Sequence, residues 1–469
     1  MTIDHEVSQE LQALRNENNL LKQKLAQSTS QSILDTSSKT STSSSTTTSE
    51  LSLLEYRRYG RQLLVPQLVE NSSSPTEAQL SLKNAKVLVV GAGGLGSPAL
   101  LYLAASGVGQ IGIVDPDTVD MSNLHRQIIH STTTLDFPKV QSAALAMKNI
   151  NPFCQVTTYH EPLNNLNSWS IVENYDVVLD CTDTPQSRYL INDACVVAGK
   201  PLVSGSGIRT EGQLSIFNHL NGPCYRCFFP NPPAPNSVTA CSDAGVIGPC
   251  IGLIGTMMAV ECLKILTHHY TQDNFKPFMT MYNGFSEQGS QSLRTFKMRG
   301  RKADCLSCGD AKKITREDIE AGKINYSQFC GTNIDRYDVI DYKTQQVSIE
   351  GFKSKYDTLL ESLSEECGNN DNNIIVIDVR PVEHWNIVHL PHSIHLPLAR
   401  LKRIDTLDDL TNIVPKLKVS SQVFVICRYG NDSRIATKIL SDKFGISAKD
   451  VAGGLFRWAK VVDPNFVVY

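Results

Sequence analysis

Lys86-Val-Leu-Val-Val-Gly-Ala-Gly-Gly-Leu-Gly96 decides how the first half of this 469-residue chain is read. Apolar β-branched residues make a buried strand, a glycine-rich turn follows, and the apolar stretch from Ser97 to Ser106 predicts a helix. Glycines in such a turn allow a tight reversal and close backbone approach, and the helix N-terminus faces phosphate. Gln110-Ile-Gly-Ile-Val114 is a second strand, ending at Asp115, where a carboxylate can accept ribose hydroxyl hydrogen bonds. Val177-Val-Leu-Asp180 and Pro201-Leu-Val203 predict further strands, with helical stretches between. Strand alternating with helix implies a parallel, helix-covered sheet. To this point a dinucleotide site and an ATP site fit equally well.

The next stretch separates them. Asp117, Asp120, Ser122, Asn123, Leu124, His125, Arg126 and Gln127 precede Lys139. Asn, Arg and Lys together suit a polyphosphate and the charge that develops at its α-phosphate. A dehydrogenase needs no such cluster there. Asp180-Cys-Thr-Asp183 ends another strand and places Asp183 where it can hold Mg²⁺ beside phosphate oxygens. Taken singly, each of these is also an ordinary surface residue.

Together these segments resemble the ubiquitin-activating-enzyme superfamily in its MoeB/ThiF branch. The resemblance implies ATP contacts from Gly94, Asp115, Ser122, Asn123, Leu124, His125, Arg126, Lys139, Asp183 and Thr184. Thr184 departs from the Asn common at that position, which puts its own role in doubt. Tyr59-Gly-Arg-Gln62 matches the branch's Tyr-x-Arg-Gln segment, whose Arg reaches the partner subunit's ATP. Arg61 is then expected to act in trans, in a homodimer with two composite sites.

Thirteen cysteines and no secretion signal point to thiols, metal ligands and catalysts, rather than a disulfide framework. Cys224-Tyr-Arg-Cys227 and Cys305-Leu-Ser-Cys308 are two CxxC pairs, which together offer the four thiolates of a closed structural zinc. The long gap between them leaves redox pairs or buried thiols open on spacing alone. MoeB-like proteins carry this arrangement, which implies one structural Zn²⁺ per subunit. Cys241, in Val238-Thr-Ala-Cys-Ser-Asp-Ala-Gly245, follows a Pro-rich stretch and is expected on an accessible crossing loop. In the matching family segment it is the thioester-forming or thiol-exchange residue. Cys154, Cys181, Cys195, Cys250, Cys262, Cys330 and Cys367 match no catalytic segment and are read mostly as structural.

A second α/β unit is expected from 371 to 469. In Val423-Phe-Val-Ile-Cys427-Arg-Tyr-Gly-Asn-Asp-Ser-Arg434 a strand ends at a cysteine and a polar loop leads into a helix. Loop N–H groups and a helix N-terminus favour a sulfur anion, so Cys427 is expected to be a low-pKa thiolate. A phosphatase loop has a similar Cys-x5-Ser/Arg form. Ile374-Ile-Val-Ile-Asp-Val-Arg380, the segment His389 to Pro397, and Gly453-Gly-Leu-Phe-Arg-Trp458 instead resemble the rhodanese family, which implies a persulfide on Cys427.

Around these units, 1–27 reads as a helix with a short leucine heptad pattern, 28–50 as a disordered Ser/Thr-rich linker, 51–310 as the adenylation domain and 311–370 as a linker able to fold in part. Net charge is −3, which disfavours bulk nucleic-acid binding, and no run is expected to reach the roughly 18 apolar residues of a membrane helix. The domain order resembles eukaryotic adenylyltransferase–sulfurtransferases. It implies a partner that is a ubiquitin-like sulfur carrier ending in Gly-Gly, a sulfur donor such as a cysteine desulfurase, a cytoplasmic location, and service to tRNA wobble-uridine 2-thiolation, protein urmylation and molybdopterin synthesis. Two other readings are a conjugating activator whose rhodanese domain only docks partners, and a Rossmann dehydrogenase carrying a phosphatase-like domain.

Overall fold

A computed structural model describes residues 50–232, 245–287, 290–330, 339–364, 374–415, 417–418 and 420–469. The expected N-terminal helix, the Ser/Thr-rich linker up to residue 49, Cys241 and Cys367 lie outside these residues.

The first unit is an eight-stranded sheet in the order β3-β2-β1-β4-β5-β6-β7-β8. Its strands are β1 (Lys86–Val90), β2 (Gln110–Val114), β3 (Gln155–Tyr159), β4 (Val177–Asp180), β5 (Leu202–Ile208), β6 (Glu211–Phe217), β7 (Phe278–Asn283) and β8 (Leu293–Lys297). The first five are parallel, in the order of a doubly wound nucleotide fold, and β1 and β4 flank the point where the winding reverses. The sequence reading anticipated a parallel sheet. The structure extends it with three antiparallel strands, β6 to β8.

Burial explains why β1 reads as an unbroken apolar run. Successive side chains face opposite sides of a sheet, so Val87 and Val89 enter one core while Leu88 and Val90 enter another. The helices Gly96–Ala105 and Gly248–Leu266 cover the first face. Contrary to the expectation that no run is long enough, Gly248–Leu266 is the one helix among the described residues long and apolar enough to cross a membrane, because Glu261 and Lys264 fall near its end and leave the rest apolar. Here Ile251, Ile254, Met258 and Cys262 bury against the sheet.

The second unit is an all-parallel five-stranded sheet, β11-β10-β12-β13-β9. Its strands are β9 (Gln346–Val347), β10 (Ile374–Asp378), β11 (Ile394–His395), β12 (Gln422–Ile426) and β13 (Ala448–Val451). Ile375, Ile377, Val423 and Val425 pack with Ala436 and Leu440 of the helix Asp432–Phe444. Val376, Phe424 and Ile426 pack on the other face with Phe352, Tyr356 and Trp458.

The stretch 311–370 is divided between the two units in its described part. Ile314, Ile319, Tyr326 and Cys330 bury against Tyr189 and Leu190 of the first unit. Gln346 and Val347 form the edge strand β9 beside β13, and the helix Ile349–Ser364 contributes Ile349, Phe352, Tyr356 and Leu359 to the second core. The second unit therefore begins before residue 371. A two-residue strand has too few positions to show alternation, and the polar surroundings mask the helical stripe.

Candidate functional site

The C-terminal ends of β1, β2 and β4 open into a cleft of about 1480 Å³. Gly94, Asp115, Arg126, Lys139, Asp183 and Thr184 all line it, so the structure gathers six of the residues singled out in the sequence. The glycine turn is sterically determined: a Cβ on Gly96 would lie 1.9 Å from the Gly91 carbonyl oxygen. Asp115 is buried and accepts hydrogen bonds from the N–H groups of Ala92 (2.8 Å) and Asp117 (2.9 Å), which ties the glycine turn to the end of β2. Burial pushes its carboxyl above the usual range, opposed by Lys139 and these two N–H groups. Lys139 begins the helix Lys139–Ile150 and is itself buried, with its ammonium 2.8 Å from the exposed carboxylate of Asp117.

Ser122, Asn123, Leu124 and His125 do not line the cleft; they form the turn that shapes Arg126. The Arg126 guanidinium donates to Asn123 Oδ1 (2.6 Å) and to the Ser122 carbonyl (3.1 Å), and lies 2.8 Å from His125 Nε2. Asp120 caps this turn by accepting from the Ser122 N–H and hydroxyl, which hold its carboxyl below the usual range. Thr184 has a local explanation: its hydroxyl accepts from the Ser187 N–H as the N-cap of the helix Pro185–Ala198. Arg61 is exposed on the helix Leu53–Leu63 and does not line the cleft of its own chain.

Residues the sequence reading passed over complete the cleft. Arg188 lines it and is held by the carbonyls of Thr182 and Gly205, with Asp180 3.5 Å away. Phe285, Arg294 and Phe296 form a further wall from the β7–β8 hairpin. Arg188 falls within a helix and the hairpin residues follow a short antiparallel pairing, so neither carried a motif.

Cys224, Cys227, Cys305 and Cys308 converge and are all buried. Sulfur–sulfur distances are 4.0 Å within the first pair, 3.6 Å from Cys224 to Cys305 and 3.3 Å from Cys227 to Cys308. Four thiolates at ~2.3 Å from one tetrahedral ion stand about 3.8 Å apart, so the set fits a thiophilic metal. The Lys302 N–H points at Cys227 Sγ (3.4 Å), as an outer hydrogen bond to a metal thiolate would. Arg226, inside the first pair, makes a buried ion pair with Asp193 (2.7 Å), so that knuckle is anchored to the helix Pro185–Ala198.

In the second unit Cys427 follows β12 directly and is 3 % exposed. The Gly430 N–H donates to its sulfur (3.1 Å), and the Ser433 hydroxyl lies 3.2 Å away. Gly453-Gly454 explains how the loop is aimed. The N–H groups of Leu455 and Phe456 donate to the carbonyls of Cys427 and Arg428, and a Cβ on Gly454 would lie 2.3 Å from the Cys427 oxygen. With its first carbonyls turned to the helix Gly454–Val461, the loop directs an N–H at the sulfur. The expected low thiol pKa is not what this environment produces. Burial pushes the Cys427 thiol up, outweighing its contacts with Ser433, and the nearby Asp432 and Asp450 push it further. Ser433 has one hydroxyl hydrogen and gives it to Asp450 (2.5 Å), which leaves it able to accept from the thiol S–H. Gln346 of β9 donates to the same Asp450 (2.8 Å), so the edge strand supports the cradle.

Comparison with known proteins agrees with this geometry. Residues 59–307 match the ThiF family and residues 360–461 the rhodanese-like domain. Three yeast proteins named adenylyltransferase and sulfurtransferase UBA4 are similar along most of their length. Those of Kluyveromyces lactis and Vanderwaltozyma polyspora are 48% and 50% identical over 89% of this chain and 90% and 92% of their own. That of Saccharomyces cerevisiae is 45% identical over 99% of this chain and 98% of its own. The chain belongs to the ThiF-type adenylyltransferases and sulfurtransferases. Within this family it carries both halves, the nucleotide cleft and the cysteine cradle, on one polypeptide.

Proposed function

We propose that the chain activates the C-terminal Gly-Gly carboxylate of a ubiquitin-like carrier with ATP and then converts it to a thiocarboxylate with sulfur held on Cys427. The observation that carries this reading is the pairing of a nucleotide-sized cleft at the switch point, with Arg126, Lys139 and Arg188 in its wall, and a buried cysteine whose sulfur accepts the Gly430 N–H.

In the first stage Gly94 and Asp115 receive the nucleotide, and Arg126 and Lys139 stabilise charge on the α-phosphate as the carboxylate attacks and pyrophosphate leaves. Asp183 would hold the Mg²⁺ that accompanies ATP, and Ser122 to His125 fix the direction of Arg126. Thr184 fixes the helix beside the phosphates. Arg61 completes the cleft of a second copy; the exposed Leu53, Leu54, Leu64 and Val65 around it supply an apolar surface for such a homodimer. The four-cysteine cluster holds zinc as a structural clamp.

In the second stage the terminal sulfur of the Cys427 persulfide attacks the acyl-adenylate carbonyl and AMP leaves, giving an acyl disulfide. The Cys241 thiolate then attacks the Cys427 sulfur; the thiocarboxylate departs, and an external thiol reduces the resulting Cys241–Cys427 disulfide. Cys241 holding the acyl group as a thioester is the other order of events. A cysteine desulfurase or another persulfide source loads Cys427. The location is cytoplasmic, and the thiocarboxylate feeds tRNA wobble-uridine 2-thiolation, protein urmylation and molybdopterin synthesis.

The test is to incubate the protein with ATP, thiosulfate and a Gly-Gly-ended carrier and weigh the carrier. Wild type should replace one oxygen by sulfur, and Cys427→Ala should release pyrophosphate with no sulfur gained. Thiocarboxylate from Cys427→Ala would favour a conjugating activator whose second domain only docks partners.

A further inference from the structure

Tyr469 lies far along the chain from the Cys427 loop but is built into its surroundings. Its hydroxyl accepts from Arg380 Nη1 (2.6 Å) and sits 3.1 Å from His384 Nδ1. Arg380 is 2 % exposed and is locked to Asp378 at the end of β10 through Nε and Nη2. One end of the Tyr469 ring is thereby fixed to a rigid buried ion pair. The face of the same ring meets the guanidinium of Arg428, the residue after Cys427, at 4.6 Å from the ring centroid. Tyr429 approaches that guanidinium at 4.9 Å, but its own side chain is exposed. Of the two rings against the cation, Tyr469 is the one anchored to the core.

A sulfur donor such as thiosulfate or a persulfide is an anion, and it must reach a cysteine with two acidic neighbours, Asp432 and Asp450. A cation on the next residue of the loop offsets that repulsion for an approaching donor, and it does so best if its position is fixed before the donor arrives. We propose that Tyr469 is a positioning residue for sulfur transfer: it holds the guanidinium of Arg428 at the Cys427 loop, where the cation captures the anionic sulfur donor. The proposal rests on the reading of Cys427 as the sulfur-carrying residue.

The test uses the full-length protein with thiosulfate as donor and cyanide as acceptor. Thiosulfate passes its outer sulfur to Cys427 and sulfite leaves; cyanide then removes that sulfur as thiocyanate and regenerates the thiolate. Tyr469→Ala should raise the KM for thiosulfate about 3- to 10-fold with kcat changed less than about twofold, the range a partly desolvated cation–π contact supports. Tyr469→Phe keeps the ring but loses the hydroxyl that anchors it to Arg380, and should recover only part of the KM. In an Arg428→Ala background, Tyr469→Ala should add no further rise. A KM unchanged in Tyr469→Ala, or a rise that persists without Arg428, would overturn the proposal. If wild type forms no Cys427-dependent thiocyanate, the reading of Cys427 fails as well; Cys427-dependent turnover with unchanged KM in Tyr469→Ala overturns only the role of Tyr469.

Discussion

The nucleotide cleft and the sulfur cradle stand at the same place in two different sheets, just beyond the C-terminal ends of parallel strands, yet they are built in opposite ways. The cleft is wide and lined by separate charges: Arg126, Lys139, Asp183 and Arg188 come from four segments and surround about 1480 Å³. The cradle closes on a single sulfur, with Gly430 and Ser433 within 3.2 Å and the surface shut to 3 %. A large polyanion in water needs several fixed cations around an open volume, because each exposed charge contributes little. One sulfur atom needs a few short contacts in a dry site, where each counts for more. The difference predicts that the two sites fail independently.

The largest effect tests that independence. Lys139→Ala removes the one buried ammonium of the cleft and should lower carrier-dependent ATP–pyrophosphate exchange about 10²- to 10³-fold, the usual loss for a single transition-state donor. Thiosulfate-to-cyanide sulfur transfer should be unchanged in the same protein. A parallel fall in both activities would mean that the sites are not separate.

A smaller effect sharpens the account of the cradle. Burial disfavours the Cys427 thiolate, so the sulfur-free thiol should titrate above the ordinary value of about 8.5. Sign follows directly: at neutral pH less of Cys427 is ionised than of an exposed cysteine, and the fraction grows as pH rises. Alkylation of Cys427, followed by peptide mass, should be slower than that of a free thiol at pH 7.5 and should keep rising beyond pH 9. A midpoint below the ordinary value would instead restore the low-pKa thiolate inferred from the sequence.

Much of both sites was legible because short-range chemistry repeats in the sequence. The strand, glycine turn and helix of Lys86 to Ala105 formed as read, since each step depends on neighbouring residues. The four cysteines met because CxxC makes a local knuckle that only needs a second one to face. What escaped depends on distance. Arg188, Phe285 and Arg294 enter the cleft only through the topology of the sheet, and Gln346 and Tyr469 reach the second site from either end of its domain. The upward pressure on the thiol pKa escaped for a related reason: the loop N–H groups are visible in sequence, but the degree of burial and the approach of Asp450 are not. The stripe Ile349, Phe352, Tyr356 and Leu359 has helical spacing and was readable, though its polar flanks concealed it.

The most direct test of the central claim follows one sulfur atom between the two halves. Cys427 is loaded with sulfur labelled at the outer atom of thiosulfate, free donor is removed, and ATP, Mg²⁺, a thiol reductant and a Gly-Gly-ended carrier are added for a single turnover. The account predicts that the label leaves the enzyme and appears at the carrier's C-terminus only when ATP is present. Label that stays on Cys427 while pyrophosphate is released would contradict it.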